Sequence, residues 1–107
     1  MAKGKHWIIE IFDYPDIPIK KSLDVLINSA GIINTTIVET WRKETPNERI
    51  AMVIIDESHL SIHDYKNKLA CLDIFTCGNK DMQKGFDYIQ KEIGFNNYKF
   101  ILKAQRF

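Results

Sequence analysis

The chain has 107 residues, 45% of them hydrophobic and 27% charged, with a formal net charge of +1. That is the size of one domain with a modest core, and the composition excludes a strongly basic nucleic-acid binder, a disordered chain and a collagenous one. No apolar run reaches the length of a membrane span, so neither nucleic acid nor membrane is an expected partner. The opening Met1-Ala2-Lys3-Gly4-Lys5-His6 leads into an apolar run interrupted at Glu10, which does not fit a secretory leader. Two cysteines without a leader read as free thiols in a reducing compartment, and a cytoplasmic location is expected.

Trp7 to Phe12 is apolar with one acid and predicts a first strand. Asp13 to Pro18 carries two prolines and reads as a turn. From Ile19 the apolar positions Leu23, Leu26, Ile27 and Ala30 fall on one helical stripe, and Gly31 stands where a helix stop is expected. Thr35 to Arg42 is rich in β-branched residues and predicts a second strand, followed by a turn at Thr45-Pro46-Asn47. Ile50 to Ile55 is apolar on both faces and predicts a central strand, and Leu69 to Thr76 predicts another. Met82, Phe86, Ile89 and Ile93 mark a second helix closed by Gly94. Tyr98, Phe100, Leu102 and Ala104 alternate with polar residues on a last strand. The order βαβββαβ predicts a two-layer α+β sandwich. A mostly antiparallel sheet carries two helices on one face, and residues 1–107 form one domain.

Between the two central strands lies Asp56-Glu57-Ser58-His59-Leu60-Ser61-Ile62-His63-Asp64, most of it ionisable or hydroxyl-bearing. It reads as a connection whose polar groups stand at the end of a buried strand. There they are either solvated or functional. His59 and His63 are four apart and Cys71 and Cys77 six apart. Neither spacing matches a zinc site, and no metal is expected. Spacing alone marks out no third partner for a Ser-His pair.

Glu57-Ser58-His59-Leu60-Ser61-Ile62-His63, followed by Asp73-Ile74-Phe75-Thr76-Cys77-Gly78, resembles the bacterial and archaeal S-adenosylmethionine decarboxylases. Gly4-Lys5-His6 with Glu10, and Phe86-Asp87-Tyr88-Ile89, resemble other parts of that family, so the similarity spans nearly the whole chain. The resemblance implies a proenzyme that cleaves itself between Glu57 and Ser58, leaving a pyruvoyl group where Ser58 stood. That group forms a Schiff base with the substrate amine and accepts the electrons released with carbon dioxide, a step of polyamine (spermidine) synthesis. His63 matches the processing histidine, a role suited to an imidazole. Cys77 matches the proton donor, and Glu10 an acidic position near the active site. Cys71, without that context, reads as core. The family also implies a homodimer of cleaved protomers, with active sites near the interface.

Three positions depart from the family. Its processing serine, eight residues before the cleavage serine, is Ile50 here, which donates no hydrogen bond. Its adenine-stacking aromatic is Glu44, which leaves Trp7 or Trp41 as the substitute platform. Its ribose-binding acid falls within Asp64-Tyr65-Lys66-Asn67, where no glutamate occurs. Three readings follow: an S-adenosylmethionine decarboxylase with moved nucleoside contacts; a relative acting on ornithine or arginine, with Glu44 toward the cationic substrate; and an uncleaved homologue that binds or regulates.

Overall fold

The computed structural model describes residues 4–78 and 80–106, so the reading of the first three residues lies outside it. Strands β1 (Gly4–Ile11), β2 (Ile37–Thr45), β3 (Glu48–Ile55), β4 (Ser58–Asp64), β5 (Ala70–Cys77) and β6 (Tyr98–Arg106) form one sheet in the order β2-β3-β4-β5-β1-β6. Every pairing is antiparallel. Helices α1 (Ile19–Ile32) and α2 (Met82–Ile93) complete the α+β sandwich expected from the sequence. No helix among the described residues is long and apolar enough to cross a membrane.

The structure adds one strand to the expected order, which becomes βαββββαβ: residues 58–64 are β4, not a connection. Ser58, Leu60, Ile62 and Asp64 are buried while His59, Ser61 and His63 are half-buried. That is the period of two of a pleated strand. Only Leu60 and Ile62 are apolar, too few to mark a strand in a run of ionisable residues.

Each inner strand sends alternate side chains to the helices. Ile9 and Ile11, Val53 and Ile55, Leu60 and Ile62, and Leu72 and Ile74 are all nearly inaccessible there. Phe86, Phe95, Tyr98 and Phe100 meet edge-on or tilted beneath α2. The stripe of α1 is rotated from the expected one: Ser22, Val25, Leu26, Ser29 and Ala30 are buried. Two of these are serines, and both are satisfied. Ser22 Oγ meets the Tyr14 hydroxyl at 2.6 Å, and Ser29 Oγ donates to Leu26 O at 2.9 Å. Burial pushes the Tyr14 phenol well above its ordinary range, so it stays neutral.

α1 does not stop at Gly31. It runs to Ile32, and Asn34 takes the left-handed conformation at φ 60°, which asparagine tolerates. α2 does end as expected, with Gly94 at φ 92°. The helices approach so closely that a Cβ on Gly85 would lie 2.6 Å from Ile33 Cγ2.

One corner of the helix-facing layer is ionic. The Arg49 side chain, 16% exposed, reaches Asp16 at 2.9 Å, Glu44 at 3.1 Å and Asp64 at 3.3 Å. Burial works to lower the Arg49 pKa, but its hydrogen bonds to Asp16, Glu44 and Asp64 outweigh it and raise it above its ordinary value. The Asp64 side chain is 4% exposed and that of Asp16 88%. Removing Arg49 strands a buried carboxylate, whereas removing Asp16 breaks a wet contact. Arg49→Met is therefore expected to cost about 3 kcal/mol and Asp16→Ala less than about 1 kcal/mol, both read from urea unfolding. Equal losses would disprove the assignment.

Candidate active site

The sheet face away from the helices carries the ionisable groups. Cross-strand register arranges them in rows running from β2 to β6. One row reads Lys43, Ile50, His63, Cys71, Glu10, Lys99. The next reads Trp41, Met52, Ser61, Asp73, Ile8, Leu102. The third reads Glu39, Ile54, His59, Phe75, His6, Ala104. Cys77, paired with Gly4, begins the row beyond.

Ser58 and Cys77 come to the same end of the sheet. Ile55 pairs with Ser58, so Asp56 and Glu57 form the two-residue tip of the β3–β4 hairpin. Both tip residues are exposed. Asp56 sits at φ 44°, in the left-handed region that aspartate, like asparagine, adopts more readily than other side chains, and its N–H donates to Thr36 O at 3.0 Å. Ser58 itself is 7% exposed and faces the helices, and its Oγ has no hydrogen-bond partner. Continuing the His59–Phe75 register by one step sets Ser58 opposite Thr76, with Cys77 one residue further along β5. The Cys77 side chain is on the open face. Gly78 then turns the chain away at φ 81°, a conformation open to glycine.

His63 and Glu10 lie at the other end. His63 is five residues along β4 from Ser58, about 17 Å at strand rise. Its cross-strand neighbour is Cys71, not Cys77. Its Nε2 meets Glu48 Oε2 at 2.7 Å, and its ring stacks on Tyr65 with centroids 4.1 Å apart. Ile50 lies directly beside it on β3. Cys71 belongs to the open face rather than the core. Burial, then the charges of Asp73 and Glu10, raise its thiol pKa, and the thiol stays protonated and unreactive.

Two expected binding residues fall outside this face. Trp7 is 8% exposed on the helix side, edge-on to Phe100 with Lys103 Nζ 4.4 Å from its ring centre. Glu44 is held by Lys66 at 3.0 Å and Arg49 at 3.1 Å, and those hydrogen bonds keep its carboxyl below the usual range. Its charge is already matched, which removes the reason for assigning it a cationic substrate. Trp41 is on the open face and 46% exposed.

The middle of the open face holds a cluster that sequence spacing did not reveal. Asp73 Oδ1 accepts from His6 Nε2 at 2.8 Å and from His59 Nε2 at 3.2 Å, with Phe75 packed against both imidazoles. Among the described residues, this is the one group whose ligand atoms converge as a metal site requires, all within 4.8 Å. Partial burial works to raise the Asp73 pKa, yet the hydrogen bonds from His59 and His6 hold it below the usual carboxylate range. Such a group stabilises the fold fully above the unfolded carboxyl pKa near 3.9, and that contribution disappears as pH falls through the lower folded value.

The sequence model of the S-adenosylmethionine decarboxylase family matches residues 5–106. The chain belongs to this family. A relative from Prochlorococcus marinus is 29% identical over 103 residues, covering 89% of this chain and 81% of its own length. One from Carboxydothermus hydrogenoformans is 33% identical over 100 residues, covering 87% and 78%. One from Pyrococcus furiosus is 32% identical over 92 residues, covering 80% and 66%. Each of the three is named an S-adenosylmethionine decarboxylase proenzyme.

Asp73→Asn is expected to cost this family member about 1 kcal/mol at pH 7. Its unfolding midpoint should converge on that of the parent below about pH 4, as the parent carboxylate is protonated. A gap that persists unchanged into acid would remove the charged hydrogen bonds as its cause.

Proposed function

We propose that the chain is a pyruvoyl-dependent decarboxylase, made as a proenzyme that cleaves itself between Glu57 and Ser58 and acts on S-adenosylmethionine. The observation that carries this reading is the position of the Glu57–Ser58 bond. It closes a two-residue hairpin with Asp56 in the left-handed region, at the end of the sheet that carries Cys77 on its open face, in a chain of this family.

The residues fit a pyruvoyl group. Ser58 Oγ, the atom lost on maturation, makes no hydrogen bond, so its departure breaks none. The buried site of the Ser58 side chain already encloses a group of similar size. Once formed, the group supplies a ketone that accepts electrons from the departing carboxylate. Cys77 stands at the same end of the sheet, on the open face, as the thiol that would return a proton to the substrate carbon. Glu10 lies at the far end with His63 and offers its negative charge to a cationic substrate held at the Ser58 end of a second protomer, and the exposed ring of Trp41 takes over the stacking that Glu44 cannot provide.

His63 stands too far along β4 to serve Ser58 of its own chain. We infer a homodimer packed through the open sheet faces, with one protomer's His63 end over the other's Ser58 end. Ile8, Ile50, Met52, Ile54 and Phe75 give that face apolar surface to bury, since all are only half-buried in one chain. The two free thiols suit a cytoplasmic setting.

Intact mass under denaturing conditions tests the reading. Two fragments meeting between Glu57 and Ser58, with a ketone on the second, are expected; a single whole-chain species would overturn it. Cys77→Ala should still cleave but lose at least about a hundredfold in turnover, the lower end of the range for a positioned proton donor. Unchanged turnover would remove Cys77 from the mechanism.

A further inference from the structure

Two buried side-chain oxygens among the described residues have no hydrogen-bond partner: Ser58 Oγ and Thr76 Oγ1. Register and burial place them together. The His59–Phe75 pairing, continued by one step, sets residue 58 opposite residue 76. Both side chains point toward the helices, Ser58 at 7% and Thr76 at 1% exposure. Directly opposed side chains on one face have Cβ atoms about 5 Å apart, so rotation about the Ser58 Cα–Cβ bond brings one hydroxyl to the other. An unsatisfied buried hydroxyl is destabilising, and two facing each other at a reaction centre call for a functional explanation.

We propose that Thr76 is the positioning residue for the first step of self-cleavage: its Oγ1 takes the Ser58 hydroxyl in a hydrogen bond and sets the rotamer from which Oγ attacks. The inference rests on the proenzyme reading above. In that step the Oγ–C bond to the Glu57 carbonyl carbon forms and the C–N bond of the Glu57–Ser58 peptide breaks. The hydroxyl proton ends on the Ser58 nitrogen, so the amide becomes an ester and a free amine with no other reactant. Attack closes a five-membered ring, so the covalent chain already sets its reach. What remains to be chosen is the side-chain rotamer, and serine has three staggered wells. Thr76 is suited to choose among them because its β-branch restricts its own χ1 and its strand is interior. Ile50, at the family's processing-serine position, faces the other side of the sheet beside His63 and cannot contribute such a bond. Thr76 is thus the hydroxyl set opposite Ser58 on its own side of the sheet, and it acts before any base removes the Cα proton.

The test follows cleavage of freshly translated chain by intact mass for the parent, Thr76→Val, Thr76→Ser and Ser58→Ala, with thermal unfolding of each purified protein. Thr76→Val keeps the shape and removes the hydroxyl. It should cleave at least tenfold more slowly, accumulate no ester cleavable by hydroxylamine, and melt at or above the temperature of Ser58→Ala. Thr76→Ser should cleave within about threefold of the parent. A Thr76→Val chain that cleaves at the parent rate overturns the inference and leaves the proenzyme reading intact. Slow cleavage in both Thr76 variants with lowered melting assigns Thr76 a purely structural role and overturns it too. A parent that never cleaves overturns the proenzyme reading and this inference with it.

Discussion

The antiparallel register between β4 and β5 is the constraint on which the rest of this site depends. Side chains alternate with a period of two, so the His59–Phe75 pairing decides at once which groups face the helices and which face outward. A slip of one residue would carry His59 and His63 into the core and expel Leu60 and Ile62. The apolar pair holds the register, and the register aligns Ser58 with Thr76 and brings His59 to Asp73.

The two faces then have different chemistry. On the helix side polar groups are scarce and mostly satisfied: Ser22 by Tyr14, Ser29 by Leu26 O, Asp64 by Arg49. The exceptions, Ser58 and Thr76, stand at the end of the sheet beside the tip of the β3–β4 hairpin. On the outer face charge is plentiful and shared, with Asp73 between two imidazoles and Glu48 on His63. Carboxylate–imidazole pairs of this kind orient rings and their protons. The outer face therefore arrives with its histidines already aimed.

The departures from the family acquire a physical account in this frame. Glu44 has its charge matched within the chain. It is one member of an ion network that neutralises the buried charge around Arg49 and Asp64. Ile50 adds half-buried apolar surface beside His63 on the open face. The separation of His63 from Ser58 leaves the two groups at opposite ends of β4 within one chain.

Much of this was legible in the amino-acid order. The α2 stripe and its Gly94 stop, the two-layer α+β architecture and the family resemblance all rest on local patterns, and local patterns survive without coordinates. Glu57-Ser58 and Cys77 were marked by motifs whose residues are close in sequence. Other features were not local. Residues 58–64 form a strand only because β3 and β5 accept them on both sides, and propensity alone left them as a connection. Trp7 and Glu44 were assigned by residue type, and only the faces they occupy show that one packs against Phe100 and the other answers Lys66 and Arg49. The Asp73 cluster joins β1, β4 and β5 across separations that no spacing rule spans. Sequence by itself determined the family and most of the elements. The tertiary structure alone decided which face each side chain serves, because facing is a property of register, and register is set by distant strands meeting.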